Sequence, residues 1–215
     1  MTTGRVPLWA RLAYTAFVAV LVPYYWRAYG PTNFLYYCDV ALLMGLVAVW
    51  TGRSLFASAP AVGILVPQAV WMADFLGTLV GYPLVGMTAY MFDSGLPLFT
   101  RGLSFFHFWL PLVLLWLLAR LGYDRRAFWT WTALAWVLMP VCYFLLPAPP
   151  PSEADPNLPV NVNYVYGLDD KQPQTWVPPL AWLGLLMAGL PLAVYLPTHL
   201  VLKRLFPPPP DRLGA

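Results

Sequence analysis

The stretch Arg101–Leu121, RGLSFFHFWLPLVLLWLLARL, decides the fold of this chain. It is long and apolar enough to cross a bilayer, because a hydrocarbon core about 30 Å thick needs about 20 helical residues. It also carries His107, and an ionisable residue inside a membrane segment is a functional-site hypothesis by default. Pro111 follows four residues later and leaves the carbonyl of His107 without its helical donor. The stretch therefore predicts a membrane helix with a polar break, and other segments must face that break.

The composition excludes a soluble protein. Of the 215 residues, 60% are hydrophobic and 10% are charged, whereas soluble domains carry about 25% charged residues. The net charge of +3 is small, and we predict membrane lipids as partners, other membrane proteins as a further option, and no nucleic acid. Two cysteines are too few for a disulfide scaffold. The basic and apolar N-terminus lacks a small-residue cleavage site, which favours a first membrane helix over a signal peptide.

Six apolar segments predict an all-α, polytopic membrane protein, and none shows the alternation of a barrel strand. The predicted membrane domain covers residues 1–206, and a disordered tail covers residues 207–215. The six predicted spans are Leu8–Trp26, Phe34–Trp50, Leu55–Val80, Gly102–Leu121, Phe128–Leu146 and Pro178–Leu202.

The basic residues predict the orientation of the chain. With six spans, nine of the twelve Lys and Arg residues fall on the side of the termini and three (Arg27, Arg101 and Lys171) on the opposite side. Positive residues accumulate in the cytoplasm, so both termini are predicted to be cytoplasmic, in a bacterial inner membrane. The basic connection RLGYDRRAFW (residues 120–129) is predicted to contact anionic headgroups or, as an alternative, a cytoplasmic partner.

Two long connections lie on the predicted outer side. Residues 81–100 are too apolar for a solvated loop and too rich in Gly and Pro for a span, so we expect a short re-entrant or interfacial helix around Leu84–Phe92. Residues 147–177 begin with a proline-rich run and continue with VNVNYV, whose alternating residues Val160–Val165 predict a small strand or a lid.

The polar residues of the spans share one depth. Cys38 and Asp39 on the second span, Asp74 on the third and His107 on the fourth fall within about 10 Å of each other in depth, at 1.5 Å rise per residue. Cys142 on the fifth span is predicted to lie in the same layer, which would give both thiols similar access to a probe. This layer is the outer half of the predicted bilayer.

Three of these residue types form a catalytic set. A histidine near a thiol can take its proton and make it nucleophilic, and a carboxylate can fix the tautomer of that histidine. Cys38, His107 and either Asp74 or Asp39 supply those parts. At the depth of lipid ester carbonyls they would perform acyl transfer or ester hydrolysis. No cofactor is predicted.

The cysteine in LYYCDVALL (residues 35–43) and the histidine in LSFFHFWLP (residues 103–111) carry a family resemblance. They resemble the YwaF-type bacterial membrane proteins, which are similar to a wider six-helix group of membrane ester hydrolases and phospholipid acyltransferases, including the androgen-induced-gene-type hydrolases. The resemblance implies Cys38 as nucleophile and His107 as base, and it covers the second to fourth spans.

Other interpretations of the same residues stay open. In a non-enzymatic assembly or structural subunit, His107 would join helices by a hydrogen bond and the cysteines would be apolar fillers. Asp39 and Asp74 would then cap local structure or pair with Arg27 or Arg101. A third interpretation is a metal site built from Cys38, Asp74, His107 and Cys142, although these ligands lack paired spacing.

Overall fold

The computed structural model describes residues 6–155 and 157–210, and the described chain is helical without a β-strand. Five helical segments are long and apolar enough to cross a bilayer, and a sixth, shorter one is equally apolar. This confirms the predicted all-α, polytopic membrane fold. The helices are α1 (Leu8–Tyr29), α2 (Tyr37–Thr51), α3 (Leu55–Leu79), α4 (Leu98–Ser104), α5 (Phe106–Leu121), α6 (Ala127–Leu145), α7 (Pro179–Gly189) and α8 (Leu196–Leu205).

Two of the spans are composite. Leu98–Leu121 combines α4 and α5, and the helix is interrupted at Phe105. There the Phe105 N–H donates to the Gly102 carbonyl, and the Phe105 carbonyl accepts the Phe108 N–H, so both bonds span three residues instead of four. The interruption therefore lies two residues before His107, whereas the sequence placed a break at the His107 carbonyl. The last span, Pro179–Leu205, joins α7 and α8 through a π-helical turn at Leu190–Tyr195.

The second span is shorter than predicted. It begins at Tyr37, because the chain leaves α1 at Gly30 with φ +77° and makes a 3-10 turn over Pro31–Leu35 before the helix starts. It ends at Gly52, whose φ of +66° is a left-handed conformation that glycine adopts without steric cost. The fifteen residues of α2 rise about 22 Å.

Helix α3 is the centre of the bundle and packs against α2, α5, α6 and α8. Close approach is possible because α3 has a glycine at Gly63, where an added Cβ would lie 1.8 Å from the ring of Trp131 on α6. Trp131 is itself completely buried. On the other side of the bundle the Tyr14 hydroxyl donates to the Leu42 carbonyl at 2.9 Å and joins α1 to α2.

We call the side that carries the N-terminus of α1 and the C-terminus of α8 the N-terminal face, and the opposite side the loop face. On the N-terminal face, the connection between α5 and α6 is fixed by hydrogen bonds. The Tyr123 hydroxyl bonds His199 Nδ1 at 2.6 Å, the Tyr123 N–H donates to the Pro207 carbonyl at 2.7 Å, and Arg126 forms an ion pair with Asp124 at 2.8 Å.

The structure describes part of the predicted tail. Pro209 is buried, Gly122 lies against Pro208 and Pro209, and the Pro207 carbonyl accepts the Tyr123 N–H. The disorder of residues 207–215 stays a prediction. Residues 211–215 lie outside the described residues.

Candidate functional site

Asp74 holds the first loop-face connection in place. Its side chain is fully buried at the end of α3. Oδ1 accepts the N–H groups of Leu84, Val85 and Gly86 at 2.9, 2.6 and 2.9 Å, and Oδ2 accepts the N–H and hydroxyl of Thr88 at 2.9 and 2.7 Å. All of these bonds are charge-assisted, because an ionised carboxylate only accepts. The alternative in which Asp74 caps local structure is therefore the one that the hydrogen bonds support.

The connection itself differs from the sequence expectation. No α-helix forms over Leu84–Phe92; the segment is a series of turns that wraps the Asp74 carboxylate, and only Ala89–Phe92 makes a 3-10 turn. A helix would use these N–H groups internally, and the carboxylate competes for them.

Cys38 and Asp39 are brought together in the first turn of α2. The Cys38 thiol donates to Asp39 Oδ2 at 3.7 Å, and the Asn33 amide donates to the same oxygen at 3.5 Å. The other oxygen of Asp39 is buried and has no hydrogen-bond partner. The thiol is half-buried and has a carboxylate as its neighbour.

His107 lies in an aromatic setting. Its ring is edge-on to Trp71 of α3, with 4.7 Å between ring centroids, and edge-on to Phe106 at 4.2 Å. Its Nδ1 is buried and accepts or donates no hydrogen bond. No hydrogen bond joins His107 to Cys38 or Asp74 within the described chain, so the predicted triad is not assembled as a hydrogen-bonded relay.

A cluster of hydroxyl, thiol and carboxyl groups lies between these residues on the loop-face half of the bundle. We call it the loop-face polar cluster; it consists of Tyr25, Cys38, Asp39, Tyr90 and Ser104. The Tyr25 hydroxyl bonds Ser104 Oγ at 3.0 Å and joins α1 to α4.

Tyr90 comes from the connection that Asp74 holds. Burial raises the pKa of the Tyr90 phenol, hydrogen bonding with Ser104 opposes this, and the nearby Cys38 thiolate would raise it further. Trp71, the residue against His107, also influences the pKa of this phenol. Sequence reasoning did not single out Tyr25 or Tyr90, because tyrosines are abundant at membrane interfaces, and it did not single out Ser104 either.

The buried polar atoms without a hydrogen-bond partner in the described chain include Asp39 Oδ1 on α2, Gln68 Oε1 on α3 and His107 Nδ1 on α5. Gln68 precedes Trp71 by three residues and so lies on the same side of α3. An unpartnered buried polar atom costs free energy unless a water or a ligand satisfies it. The unpartnered polar atoms in this half of the bundle could therefore form hydrogen bonds with a water or a ligand.

The second loop-face connection closes over the end of α2. Val160, Val162 and Val165 are buried, but the predicted strand does not form, because Asn161, Asn163 and Tyr164 have φ of 51°, 61° and 61°. These left-handed residues wind the segment into a 3-10 turn at Val162–Tyr164. The alternation of apolar residues thus predicted the burial of the valines correctly, but it predicted the wrong backbone conformation.

Asn163 anchors this turn. Its Oδ1 accepts the Tyr37 N–H at 2.9 Å and its Nδ2 donates to the Leu35 carbonyl at 2.9 Å. The same amide lies 3.5 Å from the Cys142 sulfur. Cys142 is completely buried while Cys38 is half-buried, so the expectation of similar probe access for the two thiols is wrong.

The residues of the metal hypothesis are not gathered. In the described part of the chain, no three residues among His, Cys, Asp and Glu are placed to hold a metal ion. Asp74 is occupied by backbone N–H groups, and Cys142 faces the Asn163 amide. The geometry gives no support to a centre made from Cys38, Asp74, His107 and Cys142.

Comparisons with protein-family models, with curated proteins and with solved structures find no match to this chain. The resemblance to membrane ester hydrolases and acyltransferases is thus neither supported nor contradicted, and it stays a prediction.

Proposed function

We propose that this integral membrane protein receives the ester region of a membrane lipid in the loop-face polar cluster and transfers or hydrolyses its acyl group through Cys38. The observation that supports this proposal is the set of three unpartnered buried polar atoms on α2, α3 and α5. A free hydroxyl of a lipid could donate to Asp39 Oδ1 or Gln68 Oε1, and an ester carbonyl could accept from His107 Nδ1 when that nitrogen carries a proton.

The proposed chemistry begins at the thiol. The Cys38 proton moves to a base, the sulfur bonds the ester carbonyl carbon, and the ester C–O bond breaks as the alcohol leaves with that proton. Water or a second alcohol then attacks the thioester and regenerates the thiol. The first step needs a proton acceptor, since the thiolate is the nucleophile.

Two residues are candidates for the base. Asp39 already accepts the Cys38 S–H. His107 has an unpartnered ring nitrogen, but it must move towards the thiol in the substrate complex, as catalytic groups often do when substrate binds. Asp74 is not a candidate, because its oxygens accept five donors from residues 84–88.

The second candidate function is a non-catalytic subunit of a membrane assembly. The observation that favours it is the absence of a hydrogen bond between Cys38 and His107 among the described residues, together with the structural use of Asp74. In that case the polar cluster would hold water and stabilise the bundle.

We further propose that the protein is a multi-pass protein of a bacterial cytoplasmic membrane with both termini cytoplasmic. Among the described residues, seven Lys and Arg residues belong to the N-terminal face and three to the loop face. This bias has the sign that the positive-inside rule requires.

The test measures the reactivity of Cys38 alone. In a Cys142→Ala background, Cys38 is the only thiol of the chain, and its labelling rate by a long-chain chloroacetamide can be followed by intact mass. Asp39→Asn and His107→Gln are compared in this background. If either residue is the base, its variant should label at least tenfold more slowly at neutral pH.

The matched control is His199→Gln, which alters the other histidine, on the N-terminal face. Release of fatty acid from a synthetic diacyl lipid, and its loss in Cys38→Ala, provides the second measurement. Equal labelling in the parent, Asp39→Asn, His107→Gln and His199→Gln proteins, without Cys38-dependent release of fatty acid, would reject the acyl-transfer proposal in favour of the subunit.

A further inference from the structure

An apolar groove of about 410 Å³ opens between α1 and α5, in the half of the bundle that adjoins the N-terminal face. It is separate from the loop-face polar cluster. Its walls include Trp9, Ala13 and Phe17 of α1, and Trp109, Val113 and Trp116 of α5. From Trp9 to Phe17, helix α1 rises about 12 Å, which is most of the depth of one hydrocarbon leaflet, about 15 Å.

The groove is closed at its deeper end by aromatic contacts. Trp109 is edge-on to Phe17 at 4.9 Å between ring centroids and edge-on to Tyr14 at 5.5 Å. At its other end the groove reaches the N-terminal face. The groove thus runs along α1 and α5 towards the N-terminal face.

Two arginines lie within one helical turn of wall residues, Arg11 next to Ala10 on α1 and Arg120 one turn after Trp116 on α5. The guanidinium of Arg11 lies over the Trp50 ring, 5.8 Å from its centroid, and Arg11 Nε donates to the Val6 carbonyl at 2.9 Å. The guanidinium of Arg120 lies over the ring of Trp116, a wall residue, at 4.8 Å. Both side chains are therefore oriented by an aromatic ring beside the groove.

Neither arginine has an acidic partner among the residues described. The ion pair found there is between Arg126 and Asp124. Guanidinium groups bind phosphate in a bidentate manner, and basic sites between membrane helices on the cytoplasmic side hold anionic headgroups. An apolar groove with two such arginines next to its walls fits an anionic amphiphile.

We propose that an anionic phospholipid of the leaflet at the N-terminal face occupies this groove, with one acyl chain between α1 and α5 and its phosphate held by Arg11 and Arg120. The charges argue against a second copy of this chain, because a symmetric contact at this surface would bring the arginines of the two copies together. The proposal does not depend on any activity of Cys38.

The test compares phosphatidylglycerol with phosphatidylcholine of identical acyl chains, added to the detergent-purified full chain. Binding is measured by native mass spectrometry and by thermal unfolding. We expect phosphatidylglycerol to bind at least tenfold more tightly and to raise the unfolding temperature more. The double variant Arg11→Gln/Arg120→Gln should lose that preference, whereas Arg204→Gln, an exposed arginine of α8, should keep it.

A second pair of variants tests the apolar groove. Ala13→Phe places a ring in the groove, and Ala16→Phe places one on an exposed position of α1 outside it. Ala13→Phe should weaken binding of both lipids at least tenfold, and Ala16→Phe should not. The proposal is overturned if the parent protein binds both lipids equally, if the double variant retains the preference, or if Ala13→Phe changes only the oligomeric state.

Discussion

Replacing Asp74 by asparagine tests whether this carboxylate holds residues 84–88 against the bundle. Asparagine keeps the shape of the side chain but loses the charge and one acceptor oxygen. Its remaining oxygen would still face the N–H groups of Leu84, Val85 and Gly86, but its NH₂ group would face the Thr88 N–H, which is also a donor.

The cost follows from the bonds that change. A hydrogen bond to a charged group contributes about 1 kcal/mol more than a neutral one, and an unsatisfied buried donor costs about 1–3 kcal/mol. Three weakened bonds and one unsatisfied N–H at Thr88 therefore give roughly 4–6 kcal/mol. Because the connection can detach without unfolding the helices, most of this loss should appear as local opening.

Amide hydrogen exchange measures that opening directly. Since each 1.4 kcal/mol is a factor of ten, the amides of residues 84–88 should exchange about a thousandfold faster, or more, in Asp74→Asn. The control is Asp93→Asn in the same connection, where an exposed aspartate accepts one N–H, from Gly95 at 2.8 Å. Exchange within tenfold of the parent protein in Asp74→Asn would refute the anchoring role.

Three further predictions concern packing, access and orientation. Gly63→Ala should destabilise the bundle by about 1–3 kcal/mol or more, because its Cβ would overlap the Trp131 ring, whereas Gly184→Ala meets nothing within 4 Å and should be neutral or stabilising in thermal unfolding. Asn163→Ala removes the amide that bonds the turn above α2, so it should expose Cys142 to a thiol reagent that does not label it in the parent protein; continued protection would contradict the closing role of the turn. A reporter fused to the C-terminus should be active only in the cytoplasm, and periplasmic activity would reverse the proposed orientation.

The spans were predictable from the sequence because burial in lipid requires long apolar runs, and those runs are visible without knowing the fold. The ends of the spans were harder to predict. Phe34 and Leu35, the last two residues of the turn, continue the apolar run of the helix that follows, so hydropathy placed the start of α2 too early. The start of α4 at Leu98 was missed for the opposite reason, since the sequence treated this region as a separate interfacial segment.

For the candidate site, the sequence predicted only a common depth of its residues in the bilayer. Rise per residue brought Cys38, Asp74 and His107 to one layer, but depth says nothing about which way a side chain points around its helix. Most partners of Asp74 are backbone N–H groups, which every residue except proline has. The residue types of the 84–88 segment therefore do not indicate the contact. Asn161 and Asn163, which adopt left-handed backbone conformations, likewise matched the polar positions of an alternating strand in the sequence.

The short α2 has a consequence for the membrane itself. Its rise of about 22 Å is some 8 Å less than a typical hydrocarbon core, and the missing thickness is filled by the chain's own turn at Val162–Tyr164, which lies above its first residues. Because this turn fills the missing thickness and the other spans have 19 to 27 residues, the bilayer need not thin around α2. Detaching the turn from α2 should therefore expose the loop-face polar cluster to the headgroup region and its water.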